Sequence, residues 1–192
     1  VPKNKIWAHI SGTDLIKDHR GKFYVLEDNL RVPSGVAYML ENRNVMKKVV
    51  TELFNNYKVS PVDDYTSQLY KCLSDASYSK DKKKTIVILS PGVFNSAYFE
   101  HAYLAQQMGI DLVESSDLSL SDDNYVYMKT ILGKKKIDVI YRRINDDYLD
   151  PNVWIKDSTL GLPGLINSWK EKKVAIVNLS LIHISEPTRP AI

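Results

Sequence analysis

Along the first part of the chain, short apolar and aromatic runs alternate with polar turns. Ile6 to Ile10 and Phe23 to Leu26 flank Asp18-His19-Arg20-Gly21, which predicts two strands joined by a turn and paired antiparallel. Pro33-Ser34-Gly35 then interrupts the strand pattern. Beyond it Met39, Met46, Val49, Val50 and Leu53 recur at helical spacing, predicting a helix from Val36 to Phe54 with Ser34 as its N-cap. A weaker helical pattern runs from Tyr65 to Leu73, after the turn Pro61-Val62-Asp63-Asp64.

From Thr85 the texture changes. Apolar runs at Thr85 to Leu89, Asp111 to Val113, Ile137 to Tyr141 and Val174 to Val177 alternate with helical segments at Ala97 to Met108 and Leu165 to Lys170. That alternation predicts parallel strands with crossover helices, and Tyr125 to Leu132 reads as an added strand. The fold class is therefore α/β, with α+β elements at the N-terminal side. Ser, Lys and Asp cluster between Ser77 and Lys84, so the chain divides into a unit at 1–78 and a parallel-sheet unit at 79–178. The segment Leu179 to Ile192 reads as a translated adapter and is set apart as an artefactual tail.

Charge adds little. A formal net charge of +3 spread over 192 residues argues for neither nucleic acid nor an anionic membrane as partner. Cys72 is the single cysteine, which leaves no intrachain disulfide and suits a reducing, cytoplasmic setting. The N-terminus Val-Pro-Lys-Asn-Lys has neither an initiator Met nor a signal-peptide core, and the expectation is that the chain begins inside a longer protein.

The segment with the most chemistry is Leu26-Glu27-Asp28-Asn29-Leu30-Arg31-Val32-Pro33-Ser34-Gly35. Strand alternation puts Glu27 and Asn29 on one face and Asp28 on the other, so the first two could share a hard cation. The plainer reading is a polar strand end feeding a turn. Arg31 could offset phosphate charge in the same cleft or form a surface ion pair. Ser34 and Gly35 either cap the following helix or offer its free N–H groups to an anion. Ser90-Pro91-Gly92 with Asn95-Ser96 lies between a strand and a helix, where open α/β sheets bind ligands, but lacks the Gly-Lys-Ser/Thr ending of a Walker loop. His101, with no second ligand at helical spacing, reads as a structural histidine. Arg142 and Arg143 end a strand and point to opposite faces, so at most one can face a crevice.

These blocks resemble the circularly permuted type 2 ATP-grasp family, to which glutathionylspermidine synthetase is related. The resemblance rests on Gly12-Thr13-Asp14-Leu15, on Val25 through Gly35, on Glu41-Asn42-Arg43, on Ser90 through His101 and on Val139-Ile140-Tyr141-Arg142-Arg143, in that order along the chain. It implies part of an ATP-grasp fold at 1–78, with Mg²⁺ held by Asp14, Glu27 and Asn29, and a catalytic role for Arg31. Ser34, Gly35, Arg142 and Arg143 fall to cofactor binding. The implied activity is ATP-dependent joining of a small-molecule or peptide carboxylate to an amine through an acyl phosphate. The lysines that clamp ATP in the family would lie beyond Val177. Retention of the three metal positions argues against the other possibility, an inactive paralogue serving as a binding module. Two positions depart from the family pattern: Ser115-Ser116, where a Gly is usual, and Asn145, where an Asp is usual.

Overall fold

The computed structural model describes residues 2–178, so the adapter-like segment from Leu179 lies outside the described residues. Two strands, β1 (Gly12–Lys17) and β2 (Phe23–Asn29), form an antiparallel hairpin closed by Gly21, whose φ of 82° suits a residue without Cβ. The first strand sits further along than the Ile6 to Ile10 run. The backbone N–H groups of His9 and Ile10 donate to Asn178 Oδ1 at 2.8 and 3.0 Å, and Asn178 Nδ2 donates back to the Ile10 carbonyl at 2.7 Å. Trp7 meanwhile packs on Trp169 with ring centroids 6.3 Å apart. Those contacts commit Ile6 to Ile10 to the end of the parallel sheet and leave the pairing with β2 to the next segment.

The helix expected from Val36 to Phe54 is two: α1 (Val36–Val49) and α2 (Thr51–Asn56), broken at Val50 with φ −122° and ψ 47°. The β-branched run Val49-Val50-Thr51 explains the break, because each residue loses χ1 freedom against the preceding turn. After α3 (Tyr65–Ala76) come β3 (Ile86–Leu89), α4 (Tyr98–Met108), β4 (Asp111–Val113), β5 (Leu118–Leu120), β6 (Val126–Thr130), β7 (Gly133–Lys136), β8 (Val139–Arg142), α5 (Leu165–Lys170) and β9 (Ala175–Val177).

Strands β4, β3, β8 and β9 lie in that spatial order and pair parallel throughout, as the alternating texture predicted. Successive side chains sort to opposite faces. Ile86, Ile88, Val139, Tyr141 and Val177 pack against Leu69 and Leu73 of α3 and Leu104 of α4. Val87, Leu89, Ile140 and Ile176 pack against Leu165 and Ile166 of α5 and against Val126 and Met128. With both faces covered, these strands read as continuous apolar runs. Helix α3, encoded before the polar linker, thus buries its Leu69–Leu73–Ala76 stripe on the sheet encoded after it.

The segment expected to add one strand, Tyr125 to Leu132, supplies β6 as the middle of an antiparallel sheet of order β5-β6-β7, with Ile131 and Leu132 at the exposed tip between β6 and β7. Strand β7, Gly-Lys-Lys-Lys, carries no apolar periodicity. Cross-strand pairing with β6 defines it.

Candidate functional site

Two features converge at the carboxyl ends of β3 and β8, where an open parallel sheet leaves a crevice. The hairpin is the first. Register pairs Asp14 with Glu27, Thr13 with Asp28 and Gly12 with Asn29. Residues directly opposite in an antiparallel pair share a face, so Asp14, Glu27 and Asn29 lie on one side of the ribbon. On the other side the Thr13 hydroxyl donates to Asp28 Oδ1 at 2.5 Å. A bulge between Asp14 and Leu15 skips Leu26, so the face parity of β2 changes just before Glu27.

Like charges directly opposite each other repel. Among the described residues, neither the Asp14 nor the Glu27 carboxylate has a hydrogen bond or ion pair to relieve that repulsion. Asn29 Oδ1 accepts from the Arg31 N–H at 3.3 Å and keeps a second lone pair free. Two carboxylates and an amide oxygen on an exposed face fit a hard divalent cation that retains several waters. The described residues contain no cluster of three His, Cys, Asp or Glu that would form a self-sufficient cage. Arg31 is exposed beyond the strand end.

The second feature is a cavity of about 260 Å³ whose walls include Ser34, Asn95, His101, Arg143 and Asn145. Its frame is a buried polar cluster. Glu100, in the first turn of α4, is fully buried. Its Oε1 accepts from Arg143 Nη2 at 2.9 Å, and its Oε2 accepts the N–H groups of Gly35 and Ala37 at 2.6 and 3.1 Å. Helix α1 is therefore capped from another element. Gly35 is the N-cap, its φ of 111° requires glycine, and Ser34 makes no cap hydrogen bond. This corrects the expectation that Ser34 caps the helix, and the N–H of Gly35 is already engaged by Glu100.

Arg143 also donates from Nη1 to the Pro33 carbonyl at 2.6 Å and to the Tyr141 hydroxyl at 3.1 Å. Pro33 in turn abuts the hairpin end, since a Cβ on Gly12 would stand 3.0 Å from the Pro33 Cβ. The strand end carrying Asn29 and the buried Arg143 guanidinium are thus linked through one proline. Arg142 faces away: Nη1 donates to the Ile144 carbonyl at 2.6 Å, Nη2 pairs with Asp146 at 2.9 Å, and Nε donates to the Asn178 carbonyl. Burial pulls its pKa down, Asp146 opposes this, and Arg31 and Arg143 add to it. The crevice thus selects Arg143 of the two strand-end arginines.

His101 is buried beside them. Its Nδ1 lies 2.9 Å from Ser90 Oγ, which also accepts the Gly92 N–H at 3.2 Å. The arrangement that leaves no buried hydroxyl hydrogen unpaired has Ser90 donating to Nδ1, which puts the ring proton on Nε2. Burial and the Arg143 charge push the His101 pKa down to about 4, so the ring is neutral at neutral pH. The Ser115 hydroxyl donates to the Gly161 carbonyl.

Sequence reasoning missed Glu100 as the hub. A signal was present: Glu100 and His101 precede Leu104 and Ala105 by one helical turn, which places two ionisable groups on the stripe that faces the core.

Residues 1–186 match the family model described as circularly permuted ATP-grasp type 2. An uncharacterized protein of Synechocystis sp. is 49% identical over 92% of this chain, which covers 37% of that relative. An uncharacterized protein of Mycobacterium tuberculosis strain H37Rv is 51% identical over 92% of the chain and 32% of its own length. A Frankia casuarinae protein named "Putative glutamate--cysteine ligase 2-2" is 35% identical over 93% of the chain and 21% of its own length. The chain belongs to the circularly permuted ATP-grasp type 2 family. It spans about a third of the length of the first two of these relatives. No helix among the described residues is long and apolar enough to cross a membrane.

Proposed function

We propose that this chain is part of an ATP-dependent carboxylate–amine ligase. The terminal phosphoryl group of ATP passes to a substrate carboxylate. An amine then attacks the acyl carbon and displaces phosphate, giving an amide, ADP and inorganic phosphate. Family membership and the ligase named in the Frankia relative support the reaction class.

The observation that carries the reading is the pairing of Asp14 with Glu27, two unpartnered carboxylates facing each other, with Asn29 on the same face. Such a pair destabilises the hairpin unless a cation sits between them. These residues would hold Mg²⁺, which neutralises phosphate charge when bound. Arg31, exposed beyond the same strand end, supplies a guanidinium for the charge that builds up on the transferring phosphoryl group. Ser34 presents a polar group to the substrate side of the crevice, whereas Gly35, Arg142 and Arg143 position it through their internal hydrogen bonds. In this reading 1–78 contributes the cation-binding face, 79–178 the substrate crevice, and the reducing cytoplasm suits the lone Cys72.

The test is ADP release by the full-length protein containing this chain, assayed with panels of carboxylates and amines that include L-glutamate with L-cysteine. The expected result is release that needs both substrates and falls about 100- to 1000-fold in Glu27→Gln. Release indifferent to Glu27→Gln would remove the cation site. Because Mg²⁺ is normally held jointly by carboxylates and substrate phosphates, calorimetry on the 192-residue chain should show weak Mg²⁺–ATP binding that Glu27→Gln weakens further.

A further inference from the structure

Two adjacent aliphatic side chains stand in water at the tip of the β6–β7 hairpin. Register pairs Thr130 with Gly133, so Ile131 and Leu132 are the two residues between the strands, and they are 103% and 94% exposed. The turn does not require them. Gly133 supplies the positive φ of 111°, and the Thr130 hydroxyl donates to the Gly133 carbonyl at 2.8 Å while accepting the Leu132 N–H at 3.2 Å. Tight hairpin loops favour small polar residues, so an Ile-Leu pair at such a tip calls for an explanation.

The strands beneath the tip carry a second signal. Lys129, Lys134, Lys135 and Lys136 fall in one stretch with no acidic residue among them, a local excess that the chain-wide charge of +3 conceals. Lys129 and Lys134 are directly opposite in the register, and Lys136, two residues along β7, shares their face. Like charges so placed repel. Among the described residues only Lys135 of the four has an ion pair, with Asp111 at 3.5 Å. Lys129 reaches the Ser116 carbonyl at 2.7 Å, and Lys136 and Lys173 stand 4.3 and 4.4 Å from the Tyr125 ring centroid, so none of these charges is neutralised. Lysines on β7 would by themselves guard an open sheet edge, but an apolar tip works against that purpose.

We propose that the β6–β7 hairpin docks on an anionic lipid surface, with Ile131 and Leu132 entering the interfacial layer and Lys129, Lys134 and Lys136 meeting the headgroups. An apolar tip with a basic flank suits such a surface, because burial of the aliphatic side chains and attraction of the cations add. An acidic protein partner accounts for the hairpin less well. Lysine is depleted at protein–protein interfaces, whose anchors are mostly aromatic or arginine side chains seated in pockets. A convex aliphatic tip needs a matching pocket in a protein and needs none in a bilayer. The contact is peripheral, and it is independent of the ligase reading.

The test is co-sedimentation of the full-length protein containing this chain with vesicles of phosphatidylcholine alone, or of phosphatidylcholine and phosphatidylglycerol in equal parts. Neither ATP nor Mg²⁺ is present, so the outcome is separate from that of the Glu27 experiment. The protein should partition onto the anionic vesicles, less so as sodium chloride is raised, and hardly at all onto the neutral ones. Ile131→Ser combined with Leu132→Ser should weaken that partition about 10- to 100-fold. Lys129→Gln, Lys134→Gln and Lys136→Gln together should weaken it about 100-fold. All five side chains are exposed, so both variants should keep the wild-type circular dichroism spectrum.

Hydroxyl-radical labelling of the wild-type protein gives a readout that needs no variant. Ile131 and Leu132 should label readily in free protein and become shielded when anionic vesicles are added. Shielding without lipid would show that another part of the polypeptide covers the tip, and would overturn the proposal. Equal partition onto neutral and anionic vesicles would overturn it as well. So would partition that the lysine variant loses and the tip variant keeps, which is adsorption by charge without insertion. Tip-dependent binding of poly-L-glutamate in place of vesicles would assign the surface to an acidic protein instead.

Discussion

At the scale of single residues, His101 makes a measurable claim on stability. Its folded pKa of about 4 lies below the ordinary histidine value of 6.5, because burial and the Arg143 charge oppose protonation. The unfolded chain takes up a proton below 6.5 and the folded protein does not until about 4. His101 therefore leaves stability untouched above pH 6.5 and lowers it progressively as pH falls from 6.5 towards 4, by on the order of 3 kcal/mol in full. Denaturant unfolding from pH 7.5 to 4.5 should show that loss, and His101→Phe should flatten much of it. The same residue marks where sequence reading stopped. A histidine without a second ligand at helical spacing reads as structural, and only the position of Ser90 shows that one of its nitrogens is taken and the other free. Glu27 and Asn29 were legible as one face of a strand because strand period acts over a few residues, whereas Asp14 came from the family resemblance, since the first strand was expected at Ile6 to Ile10 and not at Gly12–Lys17.

Among the elements, Glu100 joins three that are far apart in the chain: α4, the strand end at Arg143, and the N-terminus of α1. Removing one partner of a buried ion pair strands the other in a low-dielectric setting, which costs about 3–5 kcal/mol. Glu100→Ala should therefore destabilise the protein by about that amount in equilibrium denaturation. Glu100→Gln, which keeps an acceptor for Gly35 and Ala37, should cost less. Equal losses in the two variants would mean that the charge, and not the cap, carries the cost. Element positions were largely readable where apolar runs were long enough to bury, as in β3, β8, α4 and α5. They were misread where a tertiary contact intervened. The Ile6 to Ile10 run has strand composition but is held by Asn178 and Trp169, and the Lys-rich β7 has no strand pattern and exists because β6 offers it a ladder.

Over the whole molecule, stability is uneven. The parallel sheet is buried on both faces, whereas every residue of β2 is exposed and Leu15, Phe23 and Val25 each show more than half of their surface. An isolated two-stranded hairpin is marginal in water. Hydrogen exchange on the 192-residue chain should accordingly be fast through Gly12–Asn29 and slow through Ile86–Leu89 and Val139–Arg142. Equal protection would show that the hairpin is held by contacts beyond those described. The sequence by itself determined what local periodicity encodes: the α/β class, the parallel strands, the shared face of Glu27 and Asn29, and the motif order that marks the family. These depend on side-chain spacing along one or two neighbouring segments. The tertiary structure alone decided which arginine lines the crevice, which residue caps α1, and which nitrogen of His101 is free. Each of those outcomes depends on a partner from another element, as Glu100 is to Gly35 across 65 positions, and such a pairing leaves no period in the chain.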